Sequence, residues 1–304
     1  MSQVHYLKKW LKTKAKRFSL PGFDKYPIYD IGVFFVRGVQ KGSINQRAAS
    51  VAYNAFLSIF PAIIFLFTLI PYVPVENFQE SLLNLLENFV PHNAYLAMED
   101  TIIDIITNQR GSLLSITFVF ALFVASNGVL ALIRAFNSSY HGIEYRKWWM
   151  RRLVAILLVF IEFILITITI ALLTINESLY DRFFEGSKFL WYVFLGIRII
   201  IILALFFFST SFIYYLAPAR RGRFRFISPG ATLATILMVI ASYGFSFFVN
   251  NFGQFNKLYG SIGTIIVVLI WIYIMSFAVI LGFELNASII ERGRIDEDSL
   301  SSDQ

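Results

Sequence analysis

Residues 151 to 170 read RRLVAILLVFIEFILITITI, two arginines followed by an apolar run that a single carboxylate, Glu162, interrupts. Runs of this kind constrain the chain more than any other feature, because about 20 apolar residues suffice for a helix to cross a ~30 Å hydrocarbon core. Six segments qualify, roughly 48–72, 112–134, 153–175, 189–215, 227–250 and 262–287. A spanning segment must satisfy its own backbone, so each is expected to be helical. Composition agrees: 57% hydrophobic and 15% charged residues leave too little polar surface to cover a soluble core. The expected fold is an all-α integral membrane protein with six transmembrane helices.

Amphipathic helices are expected outside the spans. In 1–20, Val4, Leu7, Leu11, Ala15 and Phe18 recur at helical spacing opposite five lysines, the pattern of a helix on an anionic membrane surface, with a solvated basic tail as the alternative. The piece IYDIGVFFVRGV (28–39) is too short to cross and carries Asp30 and Arg37, so an in-plane helix is expected there. Between the first two spans, Phe78, Leu82, Leu85 and Phe89, then Tyr95, Met98, Ile102 and Ile105, form two stripes separated by Pro91. These predict an external helical insert over 76–108. The expected organisation is a basic N-terminal segment (1–47), a six-helix membrane domain (48–287) and a disordered polar tail (288–304).

Charge sets the orientation. One side of the six spans carries 21 Lys and Arg and the other four, with Arg198 inside a span. Lysine and arginine accumulate on the cytoplasmic side, so both termini are expected in the cytoplasm of a bacterial inner membrane. The net charge of +7 is then mostly a topology signal, and no nucleic-acid partner is expected. There are no cysteines and only His5, His92 and His141, far apart. No metal or other cofactor is expected.

Polar residues fall on helix faces. Arg47, Ser50, Asn54, Ser58 and Pro61 share one stripe of the first span, and Asn127 and Arg134 lie seven apart in the second. Glu162, Thr169 and Asn176 line the third, Ser228, Thr232, Thr235, Ser242 and Ser246 the fifth, and the sixth ends in GFELNAS with Glu284 and Asn286. Glu162 and Arg198 both lie nine residues from the expected start of antiparallel spans, about 13 Å in, so they are expected to meet as an ion pair. Arg47, Asn54, Ser58, Asn127, Arg134, Glu162, Arg198, Glu284 and Asn286 are the candidate substrate path. Their chemistry suits a transporter or translocase of an anionic lipid or amphiphile, because arginines hold a phosphate or carboxylate while amides replace its hydration shell.

The chain also resembles a known family. AASVAYNAFLSIFPAIIFLFTLIPY at the first span, LFVASNGVLALIRAFNSSY at the second and the stretch from FISPGATL to GFELNAS are similar to YihY/BrkB proteins, over about residues 30–292. The carriers are Tyr53, Asn54, Phe56, Ser58, Phe60 and Pro61, Asn127 with Arg134, Tyr259-Gly260-Ser261, and Glu284 to Ala287. The resemblance implies a six-span bacterial inner-membrane protein. Members have been linked to serum resistance and envelope phenotypes, and the family long carried a ribonuclease BN label. A metal-dependent nuclease needs clustered His and Asp on a water-filled face, and three isolated histidines do not supply one. A lipid-modifying enzyme could use Glu284 or His141, but neither shows a partner in sequence. The expectation is a non-enzyme with membrane lipids as partners, and the alternative is a structural envelope factor that binds a partner.

Overall fold

The structure, a computed structural model, describes residues 19, 22–23, 26–41, 43–69, 83, 103, 114–139, 146–174, 188–219, 225–252 and 261–302. The described residues form seven long helices: α1 (Ile28–Lys41), α2 (Ile44–Leu69), α3 (Leu114–Asn137), α4 (Trp148–Thr174), α5 (Lys188–Leu216), α6 (Pro229–Phe252) and α7 (Ser261–Ser302). Five contain stretches long and apolar enough to cross a membrane: Val119–Asn137, Trp148–Leu173, Phe189–Leu216, Pro229–Val249 and Ile265–Arg294. They correspond to the second through sixth expected spans. The first expected span is helical as far as Leu69, within the 26 residues of α2. Inside it Pro61 has no N–H to donate, so one rung of the helix is missing at that turn. The basic helix expected in the first 20 residues and nearly all of the 76–108 insert lie outside the described residues.

One expectation is corrected. The tail expected to be disordered from Ser288 is helical, because α7 runs for 42 residues to Ser302. Its continuation is not free of tertiary contacts: Ile289 is buried against Phe23 and Ile31, with Tyr26, Ile28 and Leu285 around them. Arg292 lies 3.9 Å from Asp30 and 5.3 Å from the centre of the Tyr26 ring. A polar composition signals disorder only when a segment has nothing to pack against, and α1 supplies that surface. The 28–39 helix is thus docked on protein, with Ile31 1% exposed.

The chain divides into two compact units. The first comprises Met1–Phe56, Leu130–Val154 and Thr210–Gln304, the second Leu57–Val129 and Ala155–Ser209. In the first, α7 packs against α6 and α1. Gly230 and Gly282 bring α6 and α7 together: a Cβ built on Gly282 would meet the Gly230 carbonyl at 2.5 Å and the Tyr214 hydroxyl at 2.6 Å. Beside this crossing, Phe136 stacks on Phe283 with centroids 4.0 Å apart, and Tyr214 meets both rings edge-on at 5.6 Å. The Tyr214 hydroxyl donates to the Val279 carbonyl, so its burial leaves no orphaned donor.

In the second unit, Ala121 and Leu122 pack against Ile156, Val159 and Phe160, and Ser58 donates to the Val124 carbonyl at 3.2 Å. Two hydrogen bonds set the register of α4 against α5. Ser209 Oγ donates to Glu162 Oε2 at 2.7 Å, and the Arg198 guanidinium donates to the Leu173 carbonyl at 3.0 Å. Large apolar side chains such as Phe120, Ile200, Ile240 and Phe247, each above 60% exposed, cover the outside. Faces of this kind are explained by lipid contact.

Candidate functional site

Of the nine polar residues singled out by sequence, Arg47, Arg198 and Asn286 hydrogen-bond backbone groups in the first or last turn of a neighbouring helix. The last four carbonyls of a helix have no partner within it and carry partial negative charge, so a cation there is doubly favoured. Arg47, at the start of α2, donates from Nη1 to the carbonyl of Ala135 in the last turn of α3 at 3.0 Å and also to Ser139 Oγ. Its Nη2 meets Glu284 Oε2 at 2.9 Å, with both side chains more than nine-tenths buried. Ser139 Oγ donates to the same carboxylate oxygen at 3.0 Å. Gly38 of α1 completes the enclosure, since a Cβ there would collide with the Glu284 carboxylate. Four segments of the first unit therefore converge on one buried ion pair.

Asn286 does the corresponding task at an N-terminus. Ser228 precedes α6, Pro229 begins it without needing a hydrogen-bond acceptor, and Ser228 Oγ accepts the Ala231 N–H at 3.3 Å. Asn286 of α7 takes the next orphan: its Oδ1 accepts the Gly230 N–H at 2.8 Å, and its Nδ2 donates to Ser228 Oγ at 2.9 Å. Arg146, which sequence reasoning passed over, caps α5 through the carbonyls of Leu216 at 2.9 Å and Pro218 at 2.6 Å.

Glu162 and Arg198 do not form the expected pair. Ser209 lies opposite Glu162 and Leu173 opposite Arg198, so the two ions are offset by 11 residues on each helix, about 16 Å along the axes. Equal counting from assumed span starts placed them at one depth, but α5 is seated differently against α4. Arg198 instead donates to the Leu173 carbonyl in the last described turn of α4, and not to Glu162.

The hydroxyl stripes are also locally satisfied. Thr232, Thr235 and Ser242 of α6 and Thr169 of α4 each donate to the carbonyl four residues earlier in their own helix, as lone hydroxyls in apolar helices do. Asn54 donates to the Ser50 carbonyl at 2.8 Å and remains half-exposed. Asn127 is half-buried.

Arg134 is different. It lies on the exposed side of α3, and the Ala135 and Phe136 side chains next to it are buried. Another cation, Arg152, lies within electrostatic range of it. Trp148 and Trp149 are exposed in the same first turn of α4 that leads to Arg151 and Arg152, 71% and 44% respectively. Tryptophan and basic side chains together are what a headgroup layer favours. A separate open cleft of about 330 Å³ sits where α1 turns into α2, lined by Gln40, Ser43, Asn45, Gln46 and Phe277 among others. Its amides can hydrogen-bond but bring no net charge. Among the described residues, no three His, Asp or Glu side chains gather as a metal site would require. His5, His92 and His141 lie outside the described residues.

The family profile described as "Virulence factor BrkB" matches residues 35–303. The chain belongs to the BrkB family. Among BrkB-related proteins, it is 33% identical over 258 residues to YfkH of Bacillus subtilis (strain 168), named as a ribonuclease-like protein, covering 84% of this chain and 93% of that one. It is 23% identical over 268 residues to the UPF0761 membrane protein NTHI0384 of Haemophilus influenzae (strain 86-028NP), covering 87% and 96%. A UPF0761 membrane protein of Vibrio campbellii (strain ATCC BAA-1116) is 24% identical over 278 residues, covering 87% and 83%. No solved structure matches. The BrkB match and the apolar helices make this a multi-pass membrane protein.

Proposed function

We propose that this BrkB-family protein is an inner-membrane translocase of an anionic lipid or amphiphile and has no catalytic residues. The observation that supports this is the exposed Arg134, beside Arg152 and the exposed Trp148 and Trp149. Two guanidinium groups that repel each other at a membrane interface are an acceptor for a phosphate or carboxylate, while acyl chains stay in the bilayer. Asn54, half-exposed, offers an amide to the same class of headgroup. Arg47, Glu284 and Asn286 hold helix ends and keep the scaffold rigid, and take no part in carrying substrate.

Purified protein in vesicles should move a labelled anionic phospholipid above the rate of empty vesicles. Arg134→Ala and Asn54→Leu should abolish that movement and leave insertion and abundance largely intact. If wild-type protein moves no labelled anionic lipid or organic anion under any imposed gradient, the reading gives way to an envelope-integrity factor acting through a partner. The closed Arg47–Glu284 cluster, with Glu284 5% exposed, favours that second reading.

The proposed topology puts both termini in the cytoplasm, supported by the charge asymmetry. In intact cells His5→Cys and Leu300→Cys should be shielded from an impermeant thiol reagent, and Asn93→Cys should label. Labelling at either terminus overturns the orientation.

A further inference from the structure

Register between α4 and α5 would need only a neutral hydrogen-bond acceptor opposite Ser209, yet Glu162 places a carboxyl group there. Glu162 is fourteen residues from the start of α4 and twelve from its end, so the helix carries it near the middle of the bilayer. Oε2 accepts the Ser209 hydroxyl at 2.7 Å, while Oε1 is buried and has no hydrogen-bond partner. Among the described residues of this unit, no basic side chain pairs with the carboxylate. The nearest basic residue on α4 is Arg152, ten positions away, and Arg198 of α5 is offset by eleven and engaged at Leu173. The other titratable groups of α5 are Lys188, Tyr192, Tyr214 and Tyr215, at least five positions from Ser209. On α3, which packs against α4 through Ala121 and Leu122, Arg134 is the one charged residue and stands twelve positions past Leu122. The part of α2 in this unit, Leu57–Leu69, has none.

An ionised carboxylate in hydrocarbon without a cation is costly, and a proton removes the charge. We propose that Glu162 is a membrane-embedded proton-binding site, occupied by a proton at neutral pH, with Ser209 holding its second oxygen. A proton can then be taken up or released at mid-membrane without any ion pair having to break. The site stands whether or not the protein moves a lipid.

A hydrophobic carbodiimide tests this, because it reaches carboxyls from the lipid phase and reacts with the protonated form. The acid proton passes to one carbodiimide nitrogen as the carboxyl oxygen bonds to the central carbon. An oxygen-to-nitrogen acyl shift then gives a stable N-acylurea, with nothing leaving. Full-length wild-type protein in vesicles, treated with dicyclohexylcarbodiimide and mapped by peptide mass spectrometry, should carry the adduct on Glu162 at neutral pH. Above the titration point the labelled fraction should fall about tenfold per pH unit, and Glu162→Gln should lose that adduct. Ser209 donates to the charged form and so favours it; Ser209→Ala should therefore extend labelling to higher pH. An unlabelled Glu162 in the wild-type protein, labelling that does not change with pH, or Ser209→Ala shifting the profile to lower pH would each overturn the proposal. Wild-type labelling needs no substitution, so a variant that fails to fold does not obscure the result.

Discussion

Arg47→Met is expected to destabilise the protein by about 3–5 kcal/mol, the usual cost of stranding one member of a buried ion pair. Glu284 would be left more than nine-tenths buried with Ser139 as its remaining donor, and the Ala135 carbonyl at the end of α3 would lose its cation. Glu284→Leu should cost a similar amount by stranding Arg47, whose Nε already has no partner. The combined Arg47→Met, Glu284→Leu variant should recover much of the loss, since neither side chain then carries an uncompensated charge. Thermal unfolding of the detergent-solubilised protein, followed by tryptophan fluorescence, reads all three. Single variants that melt with the wild type, or a double variant no better than the worse single, would remove the pair from its structural role.

Gly282→Val should be nearly as damaging. Its Cβ would meet the Gly230 carbonyl at 2.5 Å and Ala234 Cβ at 2.7 Å, and neither neighbour is the free end of a flexible side chain. The helices must separate, and overpacking of this kind costs about 1–3 kcal/mol, sometimes more. Separation would also pull Asn286 from Gly230 and Ser228, leaving the N-terminal N–H groups of α6 without their cap, a further ~1 kcal/mol. Small residues at a helix crossing let backbones approach where no hydrophobic force drives association in lipid. Asn286→Leu alone should lower the midpoint less than Gly282→Val, because it removes the cap and leaves the crossing in place. The reverse order would show that the amide, and not the close approach, holds α6 to α7.

The apolar runs were legible from sequence because they depend on local composition and on the length needed to cross hydrocarbon, and five of them stand as helices long and apolar enough to cross a membrane. Membership of the BrkB family was legible in the same way, from stretches such as AASVAYNAF and GFELNAS. Glu284 and Asn286 were singled out correctly as polar residues at the end of a span, yet their partners Arg47, Ser139, Gly38 and Ser228 lie 58 to 246 positions away. Periodicity within one helix carries no information about such pairs. The signal that existed was placement: Arg47 and Arg146 can each reach a helix C-terminus, where unpaired carbonyls attract a cation.

By itself, then, the sequence determined that this chain lives in a membrane and where its apolar helices run, since these follow from transfer of side chains into lipid, residue by residue, and its motifs determined which family it belongs to. Tertiary structure decided which charge meets which. The offset of α5 against α4 separated Glu162 from Arg198, and the surface of α1 kept α7 helical through a tail whose composition reads as disordered. Both outcomes turn on how helices seat side by side, and a shift of one helical turn, about 5.4 Å, changes every polar partner while leaving each helix's own apolar pattern untouched.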